Sequence, residues 1–118
     1  MHVPTVTSTT QSIEHKLWGN GCNAWTLLNT EGLSIKQETM TAGTEEQLHY
    51  HHNAQQFFYI LKGNAVFEVD EVIIIVHERE GIHIEAGKHH KIMNKDSVDL
   101  EFLVCSQPSI QNDRFNLA

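Results

Sequence analysis

The stretch Gly43–Gly63 reads GTEEQLHYHHNAQQFFYILKG, and it carries the two signals that decide the fold. Three histidines stand within four positions, at 49, 51 and 52, and an unbroken apolar and aromatic run follows shortly after them. If this run is a strand, its even-numbered residues from 56 to 60 share one face and its odd-numbered residues from 57 to 61 share the other. Because both faces are largely apolar, we expect a second layer or another subunit to cover the sheet.

The rest of the chain consists of short apolar or alternating runs separated by Gly, Asn and Asp, a pattern typical of strands. KGNA is predicted to be a hairpin turn in which Gly63 and Asn64 are free to adopt positive φ, and VDEV a second tight hairpin. Ser8–Lys16 is expected to form one short helical turn. Regularly spaced strands with Gly-rich turns predict an all-β, antiparallel sandwich or barrel. The runs are NAWTLLN, LSIKQETM, NAVFEVD, EVIIIVHE, GIHIEAG and DLEFLVCS.

The chain length of 118 residues fits one domain. We expect an N-terminal arm at residues 1–21, a barrel at 22–110 and a C-terminal tail at 111–118. The first twelve residues are polar and rich in threonine, so they are expected to be frayed or to pack on a neighbouring subunit.

Charge and hydropathy exclude several classes of partner. The formal net charge is −7 and the eight basic residues are scattered, which argues against nucleic acid as a partner. The longest apolar runs, FFYIL and VIIIV, are too short to span a bilayer, and the N-terminus lacks the pattern of a secretion signal. The two cysteines form no disulfide framework or zinc motif. We therefore expect a soluble, cytoplasmic protein with no membrane partner.

The histidine cluster is either a metal site or a polar loop beside a buried strand. His49 and His51 point to the same side of a strand, and their Cα atoms lie roughly 6–7 Å apart given the rise per residue. That spacing suits a first-row divalent metal, whose bonds to imidazole nitrogen are about 2.1 Å long. The pair alone is weak evidence, but Gly43, Gln56 and Gly63 flank it at regular intervals.

These residues resemble the first motif of the cupin superfamily, which is G, five residues, HxH, three or four residues, E, six residues and G. Here it reads Gly43, TEEQL, His49, Tyr50, His51, HNAQ, Gln56, FFYILK, Gly63, so only the acidic residue departs, being Gln56. The second motif is matched in its latter half by Gly87, His90 and Asn94. Glu85 stands where the family has proline, and Arg79 where it has the first glycine.

The resemblance is to small single-domain cupins of the conserved-barrel type, and it covers roughly residues 22–107. It implies an antiparallel double-stranded β-helix, or jelly-roll barrel, with a metal at its centre. Carried over position by position, the metal ligands are His49, His51 and His90, with Gln56 at the position of the family's glutamate. Residue alternation independently separates His90 from His89, because neighbours on a strand cannot both face inward.

Gln56 changes the charge of the implied site, because an amide carbonyl is neutral where a glutamate is not. Three imidazoles and an amide leave the full +2 charge on a divalent ion, which should attract an anionic ligand. Imidazole-rich sites suit Fe, Zn, Ni, Mn, Cu or Co, and the sequence does not choose among them. Gln56 is either a ligand or a neighbour of the ligands. The alternative is a cupin that has lost its metal and keeps a polar cavity.

Two functions fit the resemblance. One is an enzyme of the oxygenase, isomerase or lyase class, dioxygenase-like or sugar-phosphate-isomerase-like, which acts on a small polar or anionic metabolite at one divalent transition metal. The alternative is a non-catalytic cupin that binds or senses a small molecule or a metal. Small cupins commonly form dimers, so the resemblance also allows a homodimer. Fold alone does not decide between these functions.

Two charged positions near the motif have two interpretations, and an acidic pair has one. Lys36 and Glu38 share one face of a predicted strand, where they either line a pocket or face water. The pair Glu45–Glu46 is expected to be a solvated loop.

Overall fold

The computed structural model describes residues 3–117, and within that range the chain is all-β with no helix. No helix able to cross a membrane is therefore found among these residues. The strands are β1 Glu14–Trp18, β2 Cys22–Asn29, β3 Ser34–Met40, β4 His49–Tyr50, β5 Gln55–Lys62, β6 Ala65–Val69, β7 Val72–Val76, β8 Gly81–Ile84, β9 His90–Met93, β10 Leu100–Gln107 and β11 Phe115–Asn116.

Two antiparallel sheets face each other across one core. The larger sheet has the strand order β1-β2-β3-β10-β5-β8, and the smaller has the order β11-β4-β9-β6-β7. Every predicted strand run forms a strand at nearly the expected residues. The prediction of an all-β, antiparallel jelly-roll barrel is confirmed.

Alternation along the strands divides each sheet into an inner and an outer face. On β5, Phe58 and Ile60 are buried, whereas Phe57, which precedes them on the opposite face, is 45% exposed. The ring of Phe58 packs 5.0 Å from Phe67 and 5.7 Å from Phe102 between ring centroids, which joins the two sheets. Truncating such a ring to alanine typically costs roughly 3–5 kcal/mol of folding free energy. This aromatic cluster closes one side of the barrel interior.

The turn between β6 and β7 is a tight hairpin, as VDEV predicts. Val69 pairs with Val72, which leaves Asp70 and Glu71 as the two loop residues. Both have positive φ, at 46° and 71°. Two successive positive-φ residues give the turn whose twist matches that of paired strands.

The prediction of a hairpin at KGNA is wrong. Gly63 does have positive φ, at 86°, but the strands on either side of it belong to different sheets. A Cβ atom at Gly63 would lie 3.1 Å from the carbonyl oxygen of Asp99, so backbone approaches closely here. The turn carries the chain from one sheet to the other, and local sequence gives no signal of that long-range pairing.

The predicted helical turn at Ser8–Lys16 is also wrong. Its last residues belong to β1, which pairs with β2 at the edge of the larger sheet. The strands β1 and β11 both lie outside the expected barrel range of 22–110, yet they pair with strands inside it. The division into arm, barrel and tail otherwise stays a prediction, and its first two residues and residue 118 lie outside the described range.

Apolar side chains on the outer surface concentrate on β7 at the edge of the smaller sheet. Val72, Ile73 and Ile75 are each more than half exposed. A strand edge of this composition is a ready template for pairing with another chain. The homodimer stays a prediction that this surface makes physically reasonable.

Candidate metal centre

Two of the three predicted histidines meet because their strands are neighbours. His49 on β4 and His90 on β9 are directly opposite in the antiparallel register. Facing residues of such a pair have Cβ atoms about 4.5–5.5 Å apart. Their ring centroids lie 4.4 Å apart. Pairing of two distant segments thus brings these imidazoles together.

His51 joins the same cluster from two residues further along. Its ring centroid lies 4.9 Å from that of His49 and 5.4 Å from that of His90. All three side chains are buried, with exposures of 1–2%. One potential ligand atom of each lies within 4.8 Å of the others, so the three residues are close enough to hold one ion. The structure therefore brings together the histidines that the motif spacing selected.

The backbone fixes which nitrogen of each ring is free. Nδ1 of His49 lies 2.8 Å from the carbonyl oxygen of Gln47, and Nδ1 of His90 lies 3.0 Å from that of Lys88. Nδ1 of His51 lies 2.9 Å from the carbonyl oxygen of Asp113. A carbonyl oxygen only accepts hydrogen bonds, so each Nδ1 carries the proton. In a neutral ring this leaves a lone pair on Nε2, the form that binds metals.

Burial keeps these rings neutral. It is the main reason that the pKa of His49 falls to about 3 and that of His90 to about 4, with smaller contributions from neighbouring positive charge. Burial likewise lowers the pKa of His51. At neutral pH the cluster therefore offers three uncharged imidazoles.

Gln56 reaches the cluster from the opposite sheet. It is 5% exposed and faces inward from β5, and its Oε1 lies 3.1 Å from Nε2 of His90. Its Nε2 donates to Oγ of Ser106 at 2.9 Å, which turns the amide oxygen toward the histidines. In the neutral tautomer, the imidazole nitrogen and the amide oxygen are both acceptors. A shared cation would relieve their repulsion.

A second, independent observation also indicates that these residues suit a divalent metal. Nε2 of His51 is buried and has no hydrogen-bond partner in the described part of the chain. An unsatisfied buried polar atom costs about 1–3 kcal/mol, so a native structure retains one only with a reason. A metal ion that accepts this lone pair supplies that reason. The donor set is three imidazoles with a neighbouring amide, which suits first-row transition metals.

Two motif residues outside the cluster hold the loops around it. Gly87 has φ of 84°, and its N–H donates to the carbonyl oxygen of His51 at 2.8 Å. The side-chain amide of Asn94 donates to the carbonyl oxygens of Met40 and Val98, at 3.0 and 2.9 Å. Gly87 and Asn94 therefore act as structural supports.

Asp113, in the segment expected to be a tail, is a support that the sequence did not reveal. Its carbonyl oxygen accepts the Nδ1–H of His51, while its carboxylate accepts backbone N–H groups of His52, Asn53 and Ala54 at 2.9–3.1 Å. Burial raises the pKa of Asp113, but these N–H groups outweigh burial and the pKa falls below its usual value. One residue thus orients a histidine and anchors the loop that follows it.

A cavity of about 520 Å³ opens beside the histidines, and several charged side chains also line it. The expectation that Glu45–Glu46 is a solvated loop is wrong for Glu46. Its side chain is 14% exposed, Oε1 accepts the N–H of Ile92 at 3.2 Å, and Oε2 lies 3.7 Å from Nη1 of Arg114. Lys36 and Glu38 line the same cavity, which decides between their two interpretations.

Burial dominates the acidity of the two cavity carboxyls. It raises the pKa of Glu38 to about 7 against the opposing charges of Lys36 and Arg114. It raises that of Glu46 to about 8, with Arg114 again opposing and Glu38 adding to the rise. Neither loop charge nor strand alternation in the sequence predicts that these side chains are held in one enclosed space.

The remaining histidines near the motif lie outside the cavity. His52, His83 and His89 are exposed. His83 forms a hydrogen bond with Oε1 of Gln55 at 2.8 Å on the outer surface and does not line the cavity.

Comparison with known proteins agrees with this architecture. The family model for the cupin domain matches residues 36–106, which is more than half of the chain. This chain belongs to the cupin domain family. The match begins at Lys36 and ends at Ser106, so it includes all four candidate metal-site residues.

An uncharacterized protein of Methanocaldococcus jannaschii is similar to this cupin. The two are 29% identical over 80 residues, which cover 68% of this chain and 64% of that protein. The match therefore spans less than two thirds of the relative's own length.

Two solved structures share the fold. An RmlC-like cupin from Shewanella frigidimarina has a TM-score of 0.80 at 16% identity, covering 93% of this chain and 96% of that one. A predicted oxalate decarboxylase from Thermotoga maritima has a TM-score of 0.77 at 21% identity, covering 89% of this chain and 100% of that one. At these identities, the comparison establishes the fold alone.

Proposed function

We propose that this cupin is a metal-dependent enzyme that acts on a small anionic metabolite within its barrel. His49, His51 and His90 hold one divalent transition metal, and Gln56 is the fourth protein group beside it. The observation that carries the proposal is the buried, unpartnered Nε2 of His51 in a cluster of three neutral imidazoles. Because none of these groups is anionic, the ion keeps its charge for a ligand.

The surrounding residues prepare the site for a bound molecule. A divalent ion supplies Lewis acidity, which polarises a carbonyl or carboxylate group of the substrate. The carbonyls of Gln47, Lys88 and Asp113 hold the three rings in position before any ligand arrives. The buried rings of Phe58 and Phe102 give the cavity an apolar wall beside these polar groups.

Metal content tests the first part of the proposal. Protein purified without an affinity tag should contain close to one transition-metal ion per chain by elemental analysis. His51→Ala should remove it, because the substitution deletes an imidazole donor. The matched control is His52→Ala, which changes the adjacent exposed histidine and should retain the metal. If the wild-type protein contains no metal after extensive metal supply, the proposed metal-dependent mechanism is overturned.

Turnover tests the second part. Oxygen consumption by the Fe(II)-loaded protein should be measured with small acids, thiols and diketones, to detect an oxygenase. The same panel and a set of sugar phosphates should be followed by NMR with other metals, to detect an isomerase or a lyase. The structural similarity to a predicted oxalate decarboxylase supports including oxalate. Tight ligand binding with no turnover across metals would favour the non-catalytic binding or sensing cupin instead.

We also propose that the protein acts as a homodimer and binds no nucleic acid. The exposed apolar residues of β7 support self-association, and a net charge of −7 opposes binding to phosphates. Light scattering should give twice the chain mass, and Ile75→Glu should shift it toward the monomer. Val98→Glu, at a similarly exposed apolar position, is the control.

A further inference from the structure

The cavity has a second polar region on β3, here called the charged end, which β10 separates from Gln56 on β5. Lys36 and Glu38 project from the inner face of the larger sheet, where their partners on β10 are Val104 and Phe102. Charged side chains are seldom kept in a protein interior unless they are paired. Within residues 3–117, neither Lys36 nor Glu38 belongs to a salt bridge, although both line the cavity.

Arg114 and Trp18 complete this charged end. The guanidinium of Arg114 lines the cavity, and its closest carboxylate is that of Glu46, at 3.7 Å without a hydrogen bond. The indole Nε1 of Trp18 is buried, faces Glu38, and has no acceptor placed with good geometry in the described residues. Arg114 is partly exposed and donates its Nε–H to Oδ1 of Asn116 at 2.9 Å, but within the described residues its Nη groups make no hydrogen bond. Two cations and one N–H donor therefore line one cavity with hydrogen-bonding capacity to spare.

We propose that Lys36, Arg114 and Trp18 bind one anionic oxygen group of a small organic dianion whose other oxygen group binds at the histidine cluster. This inference rests on the proposed function, since it requires a metal at the histidines. It adds the class of ligand, which is a dianion with two separated oxygen groups. These are either two carboxylates, or a phosphate together with a carboxylate or a hydroxyl.

The chemistry of each end supports a dianion. Arginine presents a planar fork that matches carboxylate and phosphate oxygens, and lysine adds a point charge. Glu38 lies near enough to both cations for their charges to lower its pKa, but burial raises the pKa by more and favours the neutral form, so Glu38 repels an anion less than an exposed glutamate would. A neutral carboxyl also donates a hydrogen bond to an anionic oxygen.

The cavity is large enough for such a ligand to contact both ends. Its volume of about 520 Å³ falls within the range of roughly 300–1,000 Å³ that is usual for small-molecule sites. His49, His51 and Gln56 line it, and so do Trp18, Lys36 and Arg114. In the larger sheet, Lys36 on β3 and Gln56 on β5 are separated by β10. A monoanion fills only one of these two positions.

Ligand titration of the Co(II)-loaded protein tests the proposal through the visible absorption of the metal. Azide reports the histidine end alone. Acetate is the monoanion, while malonate, succinate and glutarate vary the separation of two carboxylates, and glycerol 1-phosphate tests the phosphate source. At least one dianion should bind about tenfold or more tightly than acetate, because hydrogen bonds to charged groups contribute roughly 1.5–3 kcal/mol.

Variants of the charged end separate recognition from metal binding. Lys36→Gln should lower the affinity for the preferred dianion by about tenfold, given the same energy range. The affinities for azide and acetate should not change. Trp18→Phe keeps an aromatic ring but removes the N–H, so it should also lower the affinity for the dianion without changing the affinity for azide or acetate. Lys95→Gln makes the same charge change at an exposed position and should have no effect.

The outcomes distinguish the two proposals. If Co(II) does not bind, the proposed function is overturned and the dianion site falls with it. If Co(II) and azide bind, but every dianion binds no more tightly than acetate, only the dianion site is overturned. If Lys36→Gln lowered the affinities for azide and for the dianion equally, the dianion site would also be contradicted, because Lys36 would then act through the histidine end.

Discussion

The two ends of the cavity are held by different means. At the histidine end, each imidazole is tied through Nδ1 to a backbone carbonyl, so the side chains are oriented by the fold itself. At the charged end, Lys36 and Glu38 project from a strand without a salt bridge in the described residues. The difference teaches that the histidines are preorganised by main-chain contacts, whereas the side chains of the charged end keep hydrogen-bonding capacity that the fold does not use.

The largest effect is expected from removing an oriented imidazole. His90→Ala should abolish binding of one metal ion per chain, since two imidazoles and an amide no longer form a closed donor set. His89→Ala is the matched control, because that neighbour is exposed. Isothermal titration with Zn(II) measures both. If His90→Ala bound Zn(II) with unchanged affinity, the histidine end would not be the metal site.

Acid should destabilise the histidine end of the metal-free protein. The pKa of His90 is about 4 when folded and 6.5 as a model value, so between these pH values the unfolded chain binds the extra proton. Stability contributed by His90 is therefore present above pH 6.5 and is lost as pH falls, by about 1.4 kcal/mol per pH unit.

Urea titrations of the wild type and His90→Gln at pH 6.5, 5.5 and 4.5 measure this contribution. The free energy of unfolding of the wild type minus that of the variant should fall with pH. Taking the difference is necessary because the raised pKa values of Glu38 and Glu46 give the opposite slope in both proteins. A difference that is independent of pH would contradict the neutral, buried state of His90.

Breaking the support of a ring should weaken metal binding less than deleting the ring. Asp113→Ala removes the carboxylate that holds the loop after His51, and we expect about a 10–100-fold loss of metal affinity, as is usual for groups that orient ligands. Asp113→Asn retains an oxygen acceptor and should recover part of the loss. The Co(II) spectrum should change in the alanine variant. An unaltered spectrum and affinity would mean that the loop orients His51 without this anchor.

Adding charge to the histidine end should make it bind metal more tightly. Gln56→Glu places a carboxylate beside the ion, and we expect roughly a tenfold gain in affinity for Zn(II) from one charge-assisted interaction. Gln55→Glu, on the exposed side of the same strand, controls for net charge. Weaker metal binding by Gln56→Glu would count against Gln56 as a ligand.

The smallest effect is expected at the charged end. The pKa of Glu38 is raised from 4.5 to about 7, so its contribution to stability is present below pH 4.5 and is lost as pH rises to about 7. Glu38→Gln should therefore stabilise the protein at pH 8 by about 1 kcal/mol, a value reduced from the full linkage because the side chain is partly exposed. Thermal unfolding at pH 5 and pH 8 checks it. A variant that is less stable at pH 8 would indicate that the ionised carboxylate has a partner.

Local alternation predicted the strands and the shared face of His49 and His51, whereas the inclusion of His90 came from the resemblance to the second cupin motif. His49 and His51 share a face by spacing, and His90 follows Gly87 at the motif distance. The turn at Gly63 was misread because a hairpin and a crossing between sheets have the same local residues. The contributions of Asp113 and Arg114 were missed for a related reason. Their contacts join positions far apart in the chain, and a short polar segment carries no periodicity that reveals its partners.

The bond between His51 and the carbonyl of Asp113 spans 62 positions of the chain. A refolding chain therefore acquires its HxH pair early, but the group that orients one of those rings arrives only with the slow, long-range step of folding. Uptake of metal during refolding should follow the docking of the segment around Asp113 instead of the pairing of β4 with β9. We therefore expect any selectivity among metal ions to be established only once this segment is in place.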